Sequence, residues 1–221
     1  MKAVVVLSGG QDSATCLALA LRKHGAENVA AITFAYGQRH AIETKFARRL
    51  AKRFGITAHK IVRLDFYKTL TNNSLLDPTM KISQCKAAAT PPNTVVEGRN
   101  AIFLQLAAVW AKTLGAAEIY TGVSEADFSG YPDCTPAFFK AAAEALNRGT
   151  KRGVTEGIEV LAPLMRLSKT DIVRLAAKLK VPFELTWSCY AGGKKPCGHC
   201  DSCKLRAKGF AEAGVHDTSL D

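Results

Sequence analysis

A chain of 221 residues, 48% hydrophobic and 22% charged, has material for one sizeable α/β domain or one domain with a small appendage, and its composition excludes global disorder. Its 30 Lys and Arg against 19 Asp and Glu give a formal charge of +11, but these residues are spread along the chain without a block of like charges. That balance suits an anionic small molecule as well as a nucleic acid. No apolar run reaches membrane-spanning length, and 101–111, interrupted by Gln105, reads as a buried helix. Ala3 to Leu7 runs straight into glycines without the order of a signal peptide, so a cytoplasmic protein is expected. Seven cysteines in such a compartment argue against a disulfide framework. Cys16, Cys85 and Cys134 are scattered and read as small buried side chains, whereas the other cysteines cluster near the C-terminus.

In chain order, Ala3 to Leu7 is a continuous apolar run rich in valine, the pattern of a central strand buried on both faces. Ala14 to Leu21 continues with helical spacing and stops near Gly25. Val29 to Phe34 predicts a second strand, followed by a basic helix from about His40 to Phe54 that Gly55 ends. His59 to Leu64 predicts a third, weaker strand. Residues 66–98 break this rhythm with Asp77-Pro78 and Pro91-Pro92, as a functional loop or lid does. Asn100 to Leu114 predicts a long buried helix and Glu118 to Gly122 a fourth strand. Thr135 before Pro136 starts a helix running to about Gly149. Ser168 with Asp171 forms a capping box for another, ending near Leu179. Strands alternating with helices in short steps predict an α/β fold, a doubly wound Rossmann-like parallel sheet.

Between the first strand and its helix lies Ser8-Gly9-Gly10-Gln11-Asp12-Ser13. Two glycines allow the backbone to turn tightly and approach an anion, and the N–H groups with the hydroxyls of Ser8 and Ser13 can ring phosphate oxygens. Asp12 belongs in such a site if it holds Mg²⁺ or positions part of a nucleotide. The chain has neither the P-loop nor the dinucleotide glycine pattern, and the plainer reading is a turn that needs glycines. Near the C-terminus, Cys189, Cys197, Cys200 and Cys203 offer four soft ligands with Gly192, Gly193 and Gly198 between them. Four thiolates suit one tetrahedral structural Zn²⁺, with an Fe–S cluster or redox thiols as rivals. His199 reads as a surface or supporting residue.

The Ser-Gly-Gly-x-Asp-Ser loop resembles that of the ATP pyrophosphatase superfamily, in which it binds the pyrophosphate leaving ATP as a substrate oxygen becomes adenylated. Tyr36-Gly-Gln-Arg-His40 with Glu43, Glu97-Gly-Arg-Asn100, Asp127-Phe-Ser-Gly-Tyr-Pro-Asp-Cys134 and Thr186-Trp-Ser-Cys-Tyr190 follow in one order. Together, from Val4 to about Phe210, they make the chain similar to the 7-cyano-7-deazaguanine synthases of the queuosine pathway. The resemblance implies an adenine nucleotide alpha hydrolase-like fold and conversion of 7-carboxy-7-deazaguanine to the nitrile, using ammonia and ATP with Mg²⁺. It also implies a Cys₄ zinc site and a homodimer. Its nucleotide stretch falls on Leu7, Ser8, Gly9, Gly10, Gln11, Asp12, Ser13, Ala14, Thr15, Cys16 and Leu17.

For catalysis the candidates are Asp12 and Ser13, with Arg99 and Lys169 at two helix starts able to neutralise phosphates or to sit as solvated charges. Asp127 and Asp133 can accept hydrogen bonds from a guanine-like base, or simply form turns. Tyr131 or Phe128 can stack on it, and Arg39 and His40 can meet its carboxylate or open the basic helix. The expected organisation is an ATP-binding domain over 1–185 with 66–98 as the insertion or lid, a zinc-binding element over 186–213 and a tail over 214–221. The competing functions are a tRNA-modifying relative acting on whole RNA, for which no added RNA-binding domain is visible, and a non-catalytic zinc knuckle. Partners are therefore expected to be small molecules, with neither direct tRNA binding nor a membrane.

Overall fold

The computed structural model describes residues 1–38, 42–82, 91–124 and 130–221. The elements are β1 (Ala3–Val6), α1 (Gln11–His24), β2 (Val29–Ala35), α2 (Ile42–Arg53), β3 (His59–Arg63), α3 (Tyr67–Leu70) and α4 (Arg99–Leu114). They continue with β4 (Glu118–Tyr120), α5 (Pro136–Gly149), α6 (Lys151–Glu156), β5 (Glu159–Leu161), α7 (Lys169–Lys178) and α8 (Asp201–Ala213). Among the described residues the strands form one five-stranded sheet, all pairs parallel, in the order β3-β2-β1-β4-β5. The chain winds outward from β1 in one direction and then returns to the other side, so β1 and β4 flank a topological switch point. In such sheets ligands bind beyond the strand carboxyl ends at that point.

The valine run of β1 is explained by its central place. Val5 faces a core with Leu17, Leu50, Ile172 and Phe210, while Val4 faces another with Ile32, Leu104 and Ile119. Thr135 caps α5 by accepting from Phe138 N–H at 3.2 Å, and Ser168 caps α7 by accepting from Asp171 N–H at 3.1 Å. The helix expected to be buried, α4, is buried on one face; Val109 on the other is 57% exposed.

Four elements are additional to the sequence reading: the short helices α3 and α6, the strand β5 and the helix α8. β5 is a three-residue edge strand, too short for an alternation to show. α8 occupies much of the expected zinc element and packs on α7, with Phe210 in the core, so this segment has apolar anchorage of its own. Within 66–98, the described residues Leu75, Leu76 and Val96 are buried in the α4-side core, and the Tyr67 hydroxyl donates to Glu97 O at 2.7 Å.

Candidate active site

The glycine loop leaves β1 at the switch point and enters α1 with Gly10 as N-cap and no side-chain cap, so the first N–H groups of the helix remain available to an anion. Gly9 has φ +94°, and a Cβ there would collide with the Glu43 carbonyl, so the loop lies directly on the start of α2. A Cβ at Gly122, after β4, would come within 2.7 Å of the Asp12–Ser13 peptide. These glycines bring three segments together where a side chain would hold them apart. The Ser13 hydroxyl donates to Gly10 O at 2.9 Å and accepts from Ser8 N–H at 3.2 Å, so it shapes the loop from inside. Behind it Thr33 Oγ1 donates to Leu7 O at 2.6 Å.

A cavity of about 290 Å³ opens above the loop, close to the lower size of small-molecule sites, about 300 Å³. Leu7, Ser8, Gly10, Gln11, Asp12 and Ser13 line it. Ala14, Cys16 and Leu17 lie in the core behind it, and Thr15 Oγ1 donates to Gln11 O at 2.9 Å. Lys169 Nζ also reaches the cavity and pairs with Asp12 Oδ2 at 2.9 Å. The acid that looked misplaced in an anion site is thus balanced by a lysine from α7. Its other oxygen, Oδ1, and the buried Gln11 Nε2 have no hydrogen-bond partner among the described residues. Polar atoms buried in this way, at the mouth of a phosphate loop, fit a ligand that brings its own donors and charges.

The far side of the cavity is built from α4 and aromatic residues. Arg99, Phe103, Tyr36, Tyr131 and Tyr190 line it. The Arg99 guanidinium lies 5.9 Å from the Tyr131 ring centroid. Burial works against its charge, but the oxygens of Tyr36 and Asp133 outweigh burial and hold it firmly protonated. Burial pushes the hydroxyls of Tyr36, Tyr131 and Tyr190 up, so they remain donors at neutral pH. Cys134 lines the cavity too, but burial and then Asp133 push its thiol up to about 12, which makes it a poor nucleophile.

Asp133, read as a base acceptor or a turn former, is only 7% exposed and makes its bonds within the chain. Gly98 leaves α4 without a side-chain cap, and Asp133 Oδ2 supplies one by accepting from Asn100 N–H at 3.2 Å. Asn100 Nδ2 returns a bond to Asp133 O at 2.9 Å. Tyr131 does reach the cavity, with its hydroxyl 2.5 Å from Thr94 Oγ1. Arg39, His40, Asp127 and Phe128 lie outside the described residues. Sequence reasoning missed Phe103, which an Arg99-x-x-x-Phe103 helical spacing signals, and gave no site role to Trp187 and Ser188, which line the cavity although the Thr186-Trp-Ser-Cys-Tyr190 motif contains them.

The cysteines converge as their spacing predicts. The Sγ atoms of Cys189, Cys197, Cys200 and Cys203 all lie within 4.8 Å of one another. Four sulfurs about 2.3 Å from a tetrahedral ion stand about 3.8 Å apart, so this set can hold a metal with little adjustment. Backbone N–H groups already point at the sulfurs, from Ala191 and Cys197 to Cys189 Sγ at 3.4 and 3.3 Å and from Cys200 to Cys197 Sγ at 3.4 Å. His199 is exposed, its ring nitrogen 2.8 Å from Cys197 O. The cluster adjoins the cavity: Trp187 Nε1 donates to Cys189 O at 2.9 Å, and Trp187 N–H donates to Gly9 O of the loop at 2.9 Å.

A parallel sheet with a switch point, a glycine loop feeding an uncapped helix and a cavity between a paired lysine and a phenol-ringed arginine define a nucleotide-binding α/β protein of the doubly wound type. The fold agrees: NMN synthetase from Francisella tularensis superposes with a TM-score of 0.51 at 15% identity, covering 99% of this chain and 79% of that one. The family model for queuosine biosynthesis protein QueC matches residues 2–214, and the chain belongs to that family. It is 48% identical over 216 residues to the 7-cyano-7-deazaguanine synthase of Oceanobacillus iheyensis, covering 98% of this chain and 96% of the relative. The enzyme of the same name from Thermoplasma volcanium is 49% identical over 220 residues, covering 98% and 89%.

Proposed function

We propose that this chain is an ATP-dependent ligase that converts 7-carboxy-7-deazaguanine and ammonia into 7-cyano-7-deazaguanine, the deazaguanine nitrile of queuosine biosynthesis. The observation that carries the reading is the cavity itself, which offers a phosphate loop at one wall and a buried cation among aromatic rings at the other. It has room for a nucleotide tail facing a small planar anion. The names of relatives nearly half identical over almost the whole chain supply the particular product.

In this reading a carboxylate oxygen attacks the α-phosphorus of ATP and pyrophosphate leaves against the N–H groups of α1 and Lys169. Ammonia displaces AMP from the mixed anhydride and leaves the amide. The amide oxygen attacks a second ATP, and loss of AMP and a proton leaves the nitrile. The chain contributes preorganised donors where charge develops on pyrophosphate, which is worth about 10²–10³ in rate per donor. Asp12 Oδ1 would meet the Mg²⁺ that accompanies ATP, and the four cysteines would hold one Zn²⁺ per chain. With no ligand position left open, that ion shapes the protein and takes no part in the chemistry. Substrates are small molecules, the setting is the cytoplasm, and two copies pair as a homodimer.

Phosphorus NMR of the reaction with ATP, Mg²⁺, ammonium and the acid tests this reading, together with mass spectrometry of the product. Nitrile should appear with two AMP and two pyrophosphate per product. ADP and orthophosphate as the only nucleotide products would overturn the adenylate mechanism.

A further inference from the structure

Arg99 and Phe103 stand one turn apart on α4 and both line the cavity. The Phe103 ring is fixed: it stacks on Phe34 with centroids 4.2 Å apart and planes 15° from parallel, and it meets Tyr36 at 5.5 Å. Beside this flat apolar wall the Arg99 guanidinium is half-buried, hydrogen-bonded to Tyr36 and set against the Tyr131 ring.

No carboxylate among the described residues lies within 4.0 Å of it. Asp133, the acid whose field reaches it, spends its oxygens on Asn100 N–H and the Cys134 thiol. Lys169, by contrast, already has Asp12 at 2.9 Å. The cavity therefore has three cations of different standing: Lys169 and Arg206, each matched by an aspartate, and Arg99, which the chain surrounds with phenols and leaves without a carboxylate in contact. A half-buried guanidinium with no carboxylate in contact keeps N–H donors for an incoming oxyanion, so the Arg99 position makes sense where an anion arrives to meet it.

We propose that Arg99 grips the carboxylate of the planar substrate lying on Phe103, and so selects the acid over the carboxamide formed midway. This rests on the ligase reading above. The guanidinium presents two parallel N–H groups to a carboxylate but only one useful bond to an amide oxygen or a nitrile nitrogen. Its hold therefore loosens at each stage of the conversion, from acid to amide to nitrile. The phenols of Tyr36 and Tyr131 hold the guanidinium in place and donate to whichever acceptor is present. A phosphate of ATP is the other oxyanion that could answer Arg99, and the two sources separate experimentally.

Calorimetry on the wild-type protein with a non-hydrolysable ATP analogue should find the acid bound at least about 30-fold more tightly than the carboxamide. In Arg99→Gln, kcat/KM for the acid should fall about 100-fold while that for the carboxamide falls less than about tenfold. The KM for ATP should stay put, and Arg99→Lys should restore part of the acid activity. Equal losses on acid and carboxamide with a raised KM for ATP would overturn the proposal and assign Arg99 to the phosphates. Equal binding of acid and carboxamide by the wild type would overturn it even if the variants failed to fold. A wild type that turned over neither compound would instead overturn the ligase reading, and this inference with it.

Discussion

At the scale of single residues, the pair Arg206–Asp217 holds more of the site than its place near the chain end suggests. Arg206 Nε and Nη2 grip Asp217 at 2.6 and 2.8 Å, and Nη1 donates to Thr186 Oγ1 at 2.9 Å and Ser188 Oγ at 3.1 Å. Between those two hydroxyls lies Trp187, whose N–H meets Gly9 O in the loop. The tail is thus tied to the floor of the cavity. Burial pushes the Asp217 carboxyl up, but Arg206 outweighs it and holds the acid below its usual value. A depressed carboxyl contributes stability that is complete above its unfolded pKa and is lost as pH falls through the folded one. Asp217→Asn should cost about 3 kcal/mol near neutral pH, because it leaves a buried guanidinium unmatched, and should flatten the acid limb of stability against pH. Urea melts across the acid range read both effects; an acid limb identical to wild type would remove the pair from the account. Ser13→Ala should lower kcat by about 10²-fold or more with little change in melting temperature, since its hydroxyl sets the shape of the loop. Steady-state kinetics beside thermal melts would show a merely structural role as a loss of folded protein instead.

At the scale of elements, Lys169 reaches Asp12 because α7 and α8 pack closely. A Cβ on Gly209 of α8 would lie 2.5 Å from Lys169 Cγ and 3.2 Å from its Cβ. Gly209→Ala must push the base of that side chain aside, an overpacking cost of about 1–3 kcal/mol. The KM for ATP should rise at least about fivefold, as a displaced ammonium loses its charge-assisted bonds. Gly149→Ala is the control, because a Cβ there meets nothing within 4 Å and helix propensity favours alanine. It should leave the kinetics alone and melt no lower than wild type. If both variants behave alike, close packing of α7 on α8 does not set the lysine.

At the scale of the whole molecule, the cysteine cluster links two supports of the glycine loop. Cys189 lies two residues beyond Trp187, which touches the loop, while Cys200 caps α8 and Cys203 sits in its first turn, on the helix that braces Lys169. An ion held by all four thiolates would fix the distance between these supports. Metal removal by a chelator, or Cys200→Ser, should lower the melting temperature and weaken binding of an ATP analogue together. Metal analysis, calorimetry and thermal melts on the same samples check this. A stably folded, metal-free protein with full affinity for the analogue would sink it. Among the described residues no helix is long and apolar enough to cross a membrane.

The sequence by itself determined what is written in local periodicity and short spacing. The valines of β1 declare a strand buried on both faces, Ser8 to Ser13 a glycine turn suited to an anion, Thr135-Pro136 and Ser168 two helix starts, and the four cysteines a cluster able to hold a metal. Each depends on residues within a few positions of one another, where covalent geometry already dictates proximity. The tertiary structure alone decided the pairings across the chain: Lys169 with Asp12, 157 residues away; Asp133 with the start of α4; Arg206 with Asp217 under Trp187. It also gave Arg99 its phenol ring and Phe103 its stacked partner. A charged residue at a helix start looks the same in sequence whether it faces water or a cavity. Only the crossover of the sheet between β1 and β4 selects which helix ends meet above the loop, and that is a property of the assembled layers.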